Sequence, residues 1–112
     1  MKSKVLWSAQ VEGYVRSKAP EPRGHLWRGL KRLADWDGKE DPPRIKFLED
    51  DLIGYIRLRV GGHRIIFREA FSKGIRTLNC LYAGPRSTVY EAFQELFLDA
   101  LASKHLPEEP SA

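Results

Sequence analysis

The stretch Gly54-Tyr55-Ile56-Arg57-Leu58-Arg59-Val60-Gly61-Gly62-His63-Arg64-Ile65-Ile66-Phe67 restricts the fold more than any other part of the chain. Two alternating runs flank Gly61-Gly62, and paired glycines supply the positive φ that two-residue hairpin loops need. The spacing predicts two antiparallel strands with Val60 opposite His63, Arg59 opposite Arg64 and Leu58 opposite Ile65. Side chains alternate across a strand, so Ile56, Leu58, Val60, His63, Ile65 and Phe67 share one mostly apolar face. Tyr55, Arg57, Arg59, Arg64, Ile66 and Arg68 share the other. Like charges directly opposite each other destabilise an antiparallel pair, so Arg59 against Arg64 is a cost that folding alone does not demand. Such a face has two readings. It is a phosphate site, since guanidinium groups present fixed forks of donors, or it is the solvated outside of a basic protein.

The rest of the chain supplies a cover for the apolar face. Lys4 to Trp7 reads as a short strand, and Ser8 as the cap of a helix over Ala9 to Lys18 that carries Val11, Tyr14 and Val15. Pro20 and Pro22 are expected to break that helix. A second helix follows from about Arg23 to Trp36, with Leu26, Trp27, Leu30, Leu33 and Ala34 on one stripe. Its basic residues Arg28, Lys31 and Arg32 lie elsewhere, either solvated or turned to a partner. Asp37 to Pro43 reads as a loop, Arg44 to Leu48 as a strand, Glu49 to Asp51 and Phe71 to Gly74 as turns, and Ile75 to Ala83 as a strand of ambiguous parity. Thr88 to Glu91 has capping-box spacing and opens a last helix to about Ser103, with Val89, Phe93, Leu96, Phe97 and Leu101 as its apolar stripe. The expected fold is α+β: an N-terminal helical hairpin packed on a small antiparallel sheet, with a C-terminal helix. The arginine face is expected to be open. Residues 1–104 are expected to form a single domain and 105–112 a frayed tail.

A chain of 112 residues with a formal charge of +4 suits a nucleic acid, an anionic surface or an acidic protein as partner. Its single cysteine, Cys80, excludes an intrachain disulfide and a thiolate metal cluster, and its apolar neighbours read as core. No phosphate-binding glycine loop, dinucleotide fingerprint or zinc spacing is present, and no cofactor or metal is expected. There is no secretory signal or run long enough to span a membrane, so a cytoplasmic location away from membranes is expected.

The hairpin Gly54 to Phe67, followed by Arg86-Ser87-Thr88-Val89-Tyr90, resembles the RelE/ParE superfamily of bacterial toxins. The resemblance spans roughly Val5 to Leu98 in element order and is sharp over those two segments. It implies the same α+β fold. It also implies the toxin half of a type II toxin–antitoxin system, paired with a cognate antitoxin in a hetero-oligomer. The RelE branch consists of metal-independent endoribonucleases that cut mRNA in the ribosomal decoding site and so inhibit translation; the ParE branch inhibits DNA gyrase by binding, without catalysis. The RelE-like reading is preferred here and the ParE-like reading is the alternative.

Carried over by position, the resemblance assigns Arg64 to the scissile phosphate, Arg57 to an RNA contact, and Arg59 to a recurrent hairpin arginine. Arg86 falls in the basic segment before the last helix, and Tyr90 on the ring that stacks on a base. Tyr90 also fits the apolar spacing of its helix, so core packing stays open for it. Lys46, Tyr55 and Arg68 complete the expected RNA-binding surface, with Lys46 reading equally as a plain surface lysine. Tyr55 stands where some RelE-type nucleases carry a lysine, and Gly84-Pro85 where some have further basic residues. Cleavage without a metal requires a deprotonated 2′-hydroxyl, a stabilised phosphorane charge and a protonated leaving oxygen, and it yields a 2′,3′-cyclic phosphate. Arginine stays protonated and is a poor base. The proton acceptor is therefore a tyrosinate, a histidine or a ribosomal group. His63 falls with the apolar residues and reads as packed at a strand end.

Overall fold

The computed structural model describes residues 2–102. The order is β1 (Lys4–Trp7), α1 (Ala9–Arg16), α2 (Pro20–Arg32), a 3-10 turn (Leu33–Asp35), β2 (Ile45–Phe47), a second 3-10 turn (Asp50–Leu52), β3 (Ile56–Val60), β4 (His63–Ser72), β5 (Ile75–Pro85) and α3 (Val89–Ala102). Ser8 caps α1, its side-chain oxygen accepting from the Val11 N–H at 3.2 Å. Pro20 does not separate the helices by breaking one. It opens α2 at the first helical position, where its fixed φ suits the helix and its missing N–H would have no partner.

The five strands lie in the order β1-β5-β4-β3-β2. The β3–β4 hairpin has the register read from the glycine pair: Val60 opposite His63, Arg59 opposite Arg64, Leu58 opposite Ile65. The sheet is mixed rather than wholly antiparallel, because β1 runs parallel to β5 with Val5 beside Leu78. A four-residue apolar run says nothing of the direction of its neighbour. Beyond β1 the chain continues to satisfy the edge of β5. The Ser8 hydroxyl donates to the Leu81 carbonyl at 2.9 Å, and the Gln10 amide exchanges two 2.7 Å bonds with the backbone of Ala83.

Two apolar clusters share this sheet. On one face, Val11, Val15, Leu26, Leu30 and Leu33 of the helices meet Ile56, Leu58, Ile65 and Phe67. On the other, Val89 and Phe93 of α3 pack with Leu52, Tyr55, Ile66 and Leu81. The second face, expected from the sequence to be open, is covered along part of its length: α3 packs on it around Tyr55 and Ile66. An apolar helical stripe demands burial but does not name the surface that provides it. Leu96, expected in that stripe, is exposed. The side chains of Phe97 and Leu101 and the tail at 105–112 lie outside what is described.

Candidate RNA-binding and catalytic site

What α3 leaves uncovered is the tip of the β3–β4 hairpin. Arg57, Arg59 and Arg64 emerge there on one side of the sheet, Arg59 and Arg64 as direct cross-strand neighbours. The loop before α3 is fastened to the same tip by the Arg86 N–H, which donates to the Gly62 carbonyl at 2.9 Å. This brings Arg86 and the start of α3, with Tyr90, to the arginines of the hairpin.

Arg64 is the centre of the group. It is 5% exposed, although the sequence placed it on an open surface. Its Nη1 donates to the carbonyls of Gly61 and His63 at 2.9 and 3.0 Å. The hairpin turn thus wraps its own arginine, leaving Nη2 and Nε without hydrogen bonds among the described residues. Burial lowers its pKa, and Arg57, Arg59 and Arg86 push the same way as like charges, while Tyr90 pulls it up. Of the five residues expected to be catalytic, Arg57, Arg59, Arg86 and Tyr90 all sit within electrostatic reach of Arg64. None of the four arginines has a carboxylate partner among the described residues. Arg57 donates through Nη2 to the Pro43 carbonyl, while its Nε is buried without a partner. A buried donor left unpaired is rare and costly.

Tyr90 is half-buried against the α3 cluster while sharing the field of Arg64. It packs on its helix and borders the site at once. Lys46 is exposed on β2 directly across from Arg57, in a position to extend the basic surface. Tyr55 is different. It is 8% exposed and its ring lies edge-on to Phe93 at 5.0 Å between centroids. Parity put it on the arginine face, and the part of that face it occupies is core. Arg68 lies four residues along β4 from Arg64, roughly 13 Å at strand rise, half-buried and apart from the arginines grouped at the tip.

His63 faces the other way. Its Nδ1 is 2.6 Å from the Tyr14 hydroxyl of α1. Burial lowers the His63 pKa, helped by Lys18 and Arg64, and burial raises that of Tyr14. Burial disfavours the charged form of both, and the His63 tautomer decides which of the two donates. The bond was missed because Tyr14 reads from sequence only as an apolar-stripe residue. Cys80 is fully buried, and desolvation pushes its thiol up to about 12, which makes it inert core.

The architecture is the RelE-like α+β fold. Among solved structures, the chain is similar to one in the toxin–antitoxin complex RelBE2 from Mycobacterium tuberculosis, at 18% identity and a TM-score of 0.54, over 77% of this chain and 100% of that one. It is also similar to a YoeB/ParE toxin from Agrobacterium tumefaciens, at 22% identity and a TM-score of 0.49, over 73% of this chain and 97% of that one. No family model and no curated protein matches it.

Proposed function

We propose that this protein is the toxin of a toxin–antitoxin pair and acts as a ribosome-dependent, metal-independent mRNA endonuclease. The observation that carries this reading is the buried Arg64 guanidinium, ringed by Arg57, Arg59 and Arg86 and held by backbone carbonyls instead of carboxylates. Such an arrangement costs stability unless a polyanion lies across it. A fold shared with a chain of a toxin–antitoxin complex supports an antitoxin as partner. In the reaction, Arg64 holds the scissile phosphate through the donors its turn carbonyls leave unused. Arg59 and Arg86 add charge where the phosphorane oxygen develops, and Arg57 and Lys46 steady the strand. Tyr90 stacks on the neighbouring base. The 2′-hydroxyl proton goes to a ribosomal group and the leaving 5′-oxygen takes one from a ribosomal group or water, because His63 is bonded to Tyr14 on the far side of the sheet.

A second reading, gyrase inhibition by protein contact, is favoured by Tyr55. Its ring is committed to Phe93, and it occupies a position where a nuclease has use for a lysine. Induction in a bacterium, with transcript 5′ ends and DNA breaks mapped side by side, separates the two. Ribosome-phased cuts are expected, and double-strand breaks with intact transcripts would refute the nuclease. Arg64→Ala should lower cleavage by roughly 100-fold or more, the loss seen when one charge-stabilising donor is removed. Full toxicity in that variant, with an unchanged melting temperature, removes the assignment of the site.

A further inference from the structure

The Gly61-Gly62 turn carries the site on its carbonyls. Those of Gly61 and His63 hold the Arg64 guanidinium through Nη1, and that of Gly62, between them, holds the Arg86 N–H. Three consecutive carbonyls thus govern how Arg64 and the Arg86 segment are presented, and a rotation of the turn re-aims Arg64. Yet the turn is made of the least constrained residue type. A Cβ at Gly61 or at Gly62 would meet nothing within 4 Å, so no neighbouring element braces the turn there.

Bracing comes from the pair that closes the ladder, Val60 and His63. Each is fastened to a different helix. Val60 lies under α2, where a Cβ on Gly29 would stand 2.8 Å from its Cγ2. His63 meets α1: its Nδ1 is 2.6 Å from the Tyr14 hydroxyl, and the two rings lie edge-on at 5.6 Å between centroids. Helix α1 is a fixed support for that contact. Val11 and Val15 are fully buried, and Ser8 and Gln10 bond to the backbone of Leu81 and Ala83 on β5.

We propose that Tyr14 is a positioning residue of the nuclease: through His63 it fixes the turn whose carbonyls aim the Arg64 guanidinium. The proposal rests on the nuclease reading given above. Its route differs from that of an ordinary stabilising contact. The apolar cluster that includes Leu58, Ile65 and Phe67 already holds β3 and β4 on the helices, so loss of one hydroxyl leaves the sheet in place. What it releases is the β4 side of the turn, and that freedom passes directly into the His63 carbonyl on which Arg64 rests. A group misplaced by about 1 Å costs on the order of 100-fold in rate, and a loosened turn that keeps the aimed geometry part of the time costs less. Hold on the RNA strand, shared among Arg57, Arg59, Arg86 and Lys46 in the proposed reaction, does not pass through this link.

Single-turnover cleavage of mRNA on programmed ribosomes, at increasing concentrations of the full chain, separates the rate at saturation from the half-saturating concentration. Tyr14→Phe should lower the saturated rate by about tenfold, in a variant whose melting curve shows it folded at the assay temperature. The half-saturating concentration should stay within about twofold. His63→Leu should act alike, and the two together should cost no more than either alone, because both break one link. In an Arg64→Lys background, where the fixed fork of donors is gone, Tyr14→Phe should change the rate by less than about twofold. An unchanged saturated rate in Tyr14→Phe would overturn the proposal. So would an equal loss in the Arg64→Lys background, which would make the contact a general support of the fold. The link is also read without cleavage. In the nitrogen–proton NMR spectrum, the Arg64 Nε–H signal should move in Tyr14→Phe while that of Arg76, bonded to Ser3 elsewhere in the fold, stays. An unmoved Arg64 signal overturns the link whether or not the wild type cuts, and a wild type that cuts nothing refutes the nuclease reading by itself.

Discussion

Arg64 and His63 are neighbours in sequence that the strand turns to opposite sides, and each is perturbed by burial. For Arg64 the alternation along the strand gave the side but not the depth. Nothing in the residue types shows that the Gly61 and His63 carbonyls fold back onto its guanidinium. For His63 the same alternation shows the apolar side but not the Tyr14 hydroxyl that meets it. This pair makes a testable contribution to stability. The folded His63 pKa lies below its ordinary value of 6.5, so the unfolded chain binds the proton first as pH falls. The stability from a neutral His63 is present above about 6.5 and lost as pH drops through the lowered folded value. Chemical denaturation between pH 7.5 and 5, above the carboxylate range, should show a decline that His63→Gln flattens. Tyr14→Phe should cost about 1 kcal/mol at neutral pH through the lost hydrogen bond. Equal slopes for the wild type and His63→Gln would show that this histidine does not titrate differently on folding.

Among elements, the hairpin was legible because two independent signals, period-two alternation and a glycine pair, specify one register. The α3 packing was not, since its stripe is equally compatible with either sheet face, and β1 gave no sign of its parallel pairing. Helical glycines show the same limit. Gly13 of α1 and Gly29 of α2 look alike in sequence as residues that weaken helices. A Cβ at Gly13 would meet nothing within 4 Å, whereas at Gly29 it would meet Val60 Cγ2 at 2.8 Å. Gly13→Ala should therefore stabilise by about 0.5–1 kcal/mol, the propensity gain of an exposed helical site. Gly29→Ala should destabilise by about 1–3 kcal/mol, because α2 must lift from β3 or Val60 must change rotamer in a packed cluster. Urea midpoints of the two variants should move in opposite directions. A stabilising Gly29→Ala would mean that the α2–β3 contact has slack that the geometry does not show.

At the scale of the whole molecule, the chain spends its ion pairs away from the arginine group. Arg76 is enclosed: its guanidinium reaches the Ser3 hydroxyl, the Glu69 carboxylate and the Trp36 carbonyl, tying β4 and β5 to the segments beside β1 and after α2. Arg59 and Arg86, by contrast, make no side-chain hydrogen bond or ion pair among the described residues, and both act on Arg64 as like charges. If the group exists to bind a polyanion, the folded chain is held back by it when none is bound. Replacing Arg59 and Arg86 together by glutamine should then raise stability by about 0.5–1.5 kcal/mol, from the relief of cross-strand and neighbouring repulsion. It should also lower cleavage or RNA affinity. The sign distinguishes this from ordinary surface mutation, which leaves stability within about 0.5 kcal/mol either way. Salt supplies the second check. Repulsion between exposed charges is screened with a Debye length of about 3 Å at 1 M, so the gain should be largest at low ionic strength and shrink toward zero in molar salt. A salt-independent gain would point to packing or helix propensity. A loss of stability would mean that Arg59 or Arg86 holds the hairpin tip together, and that the crowding of guanidinium groups serves the fold after all.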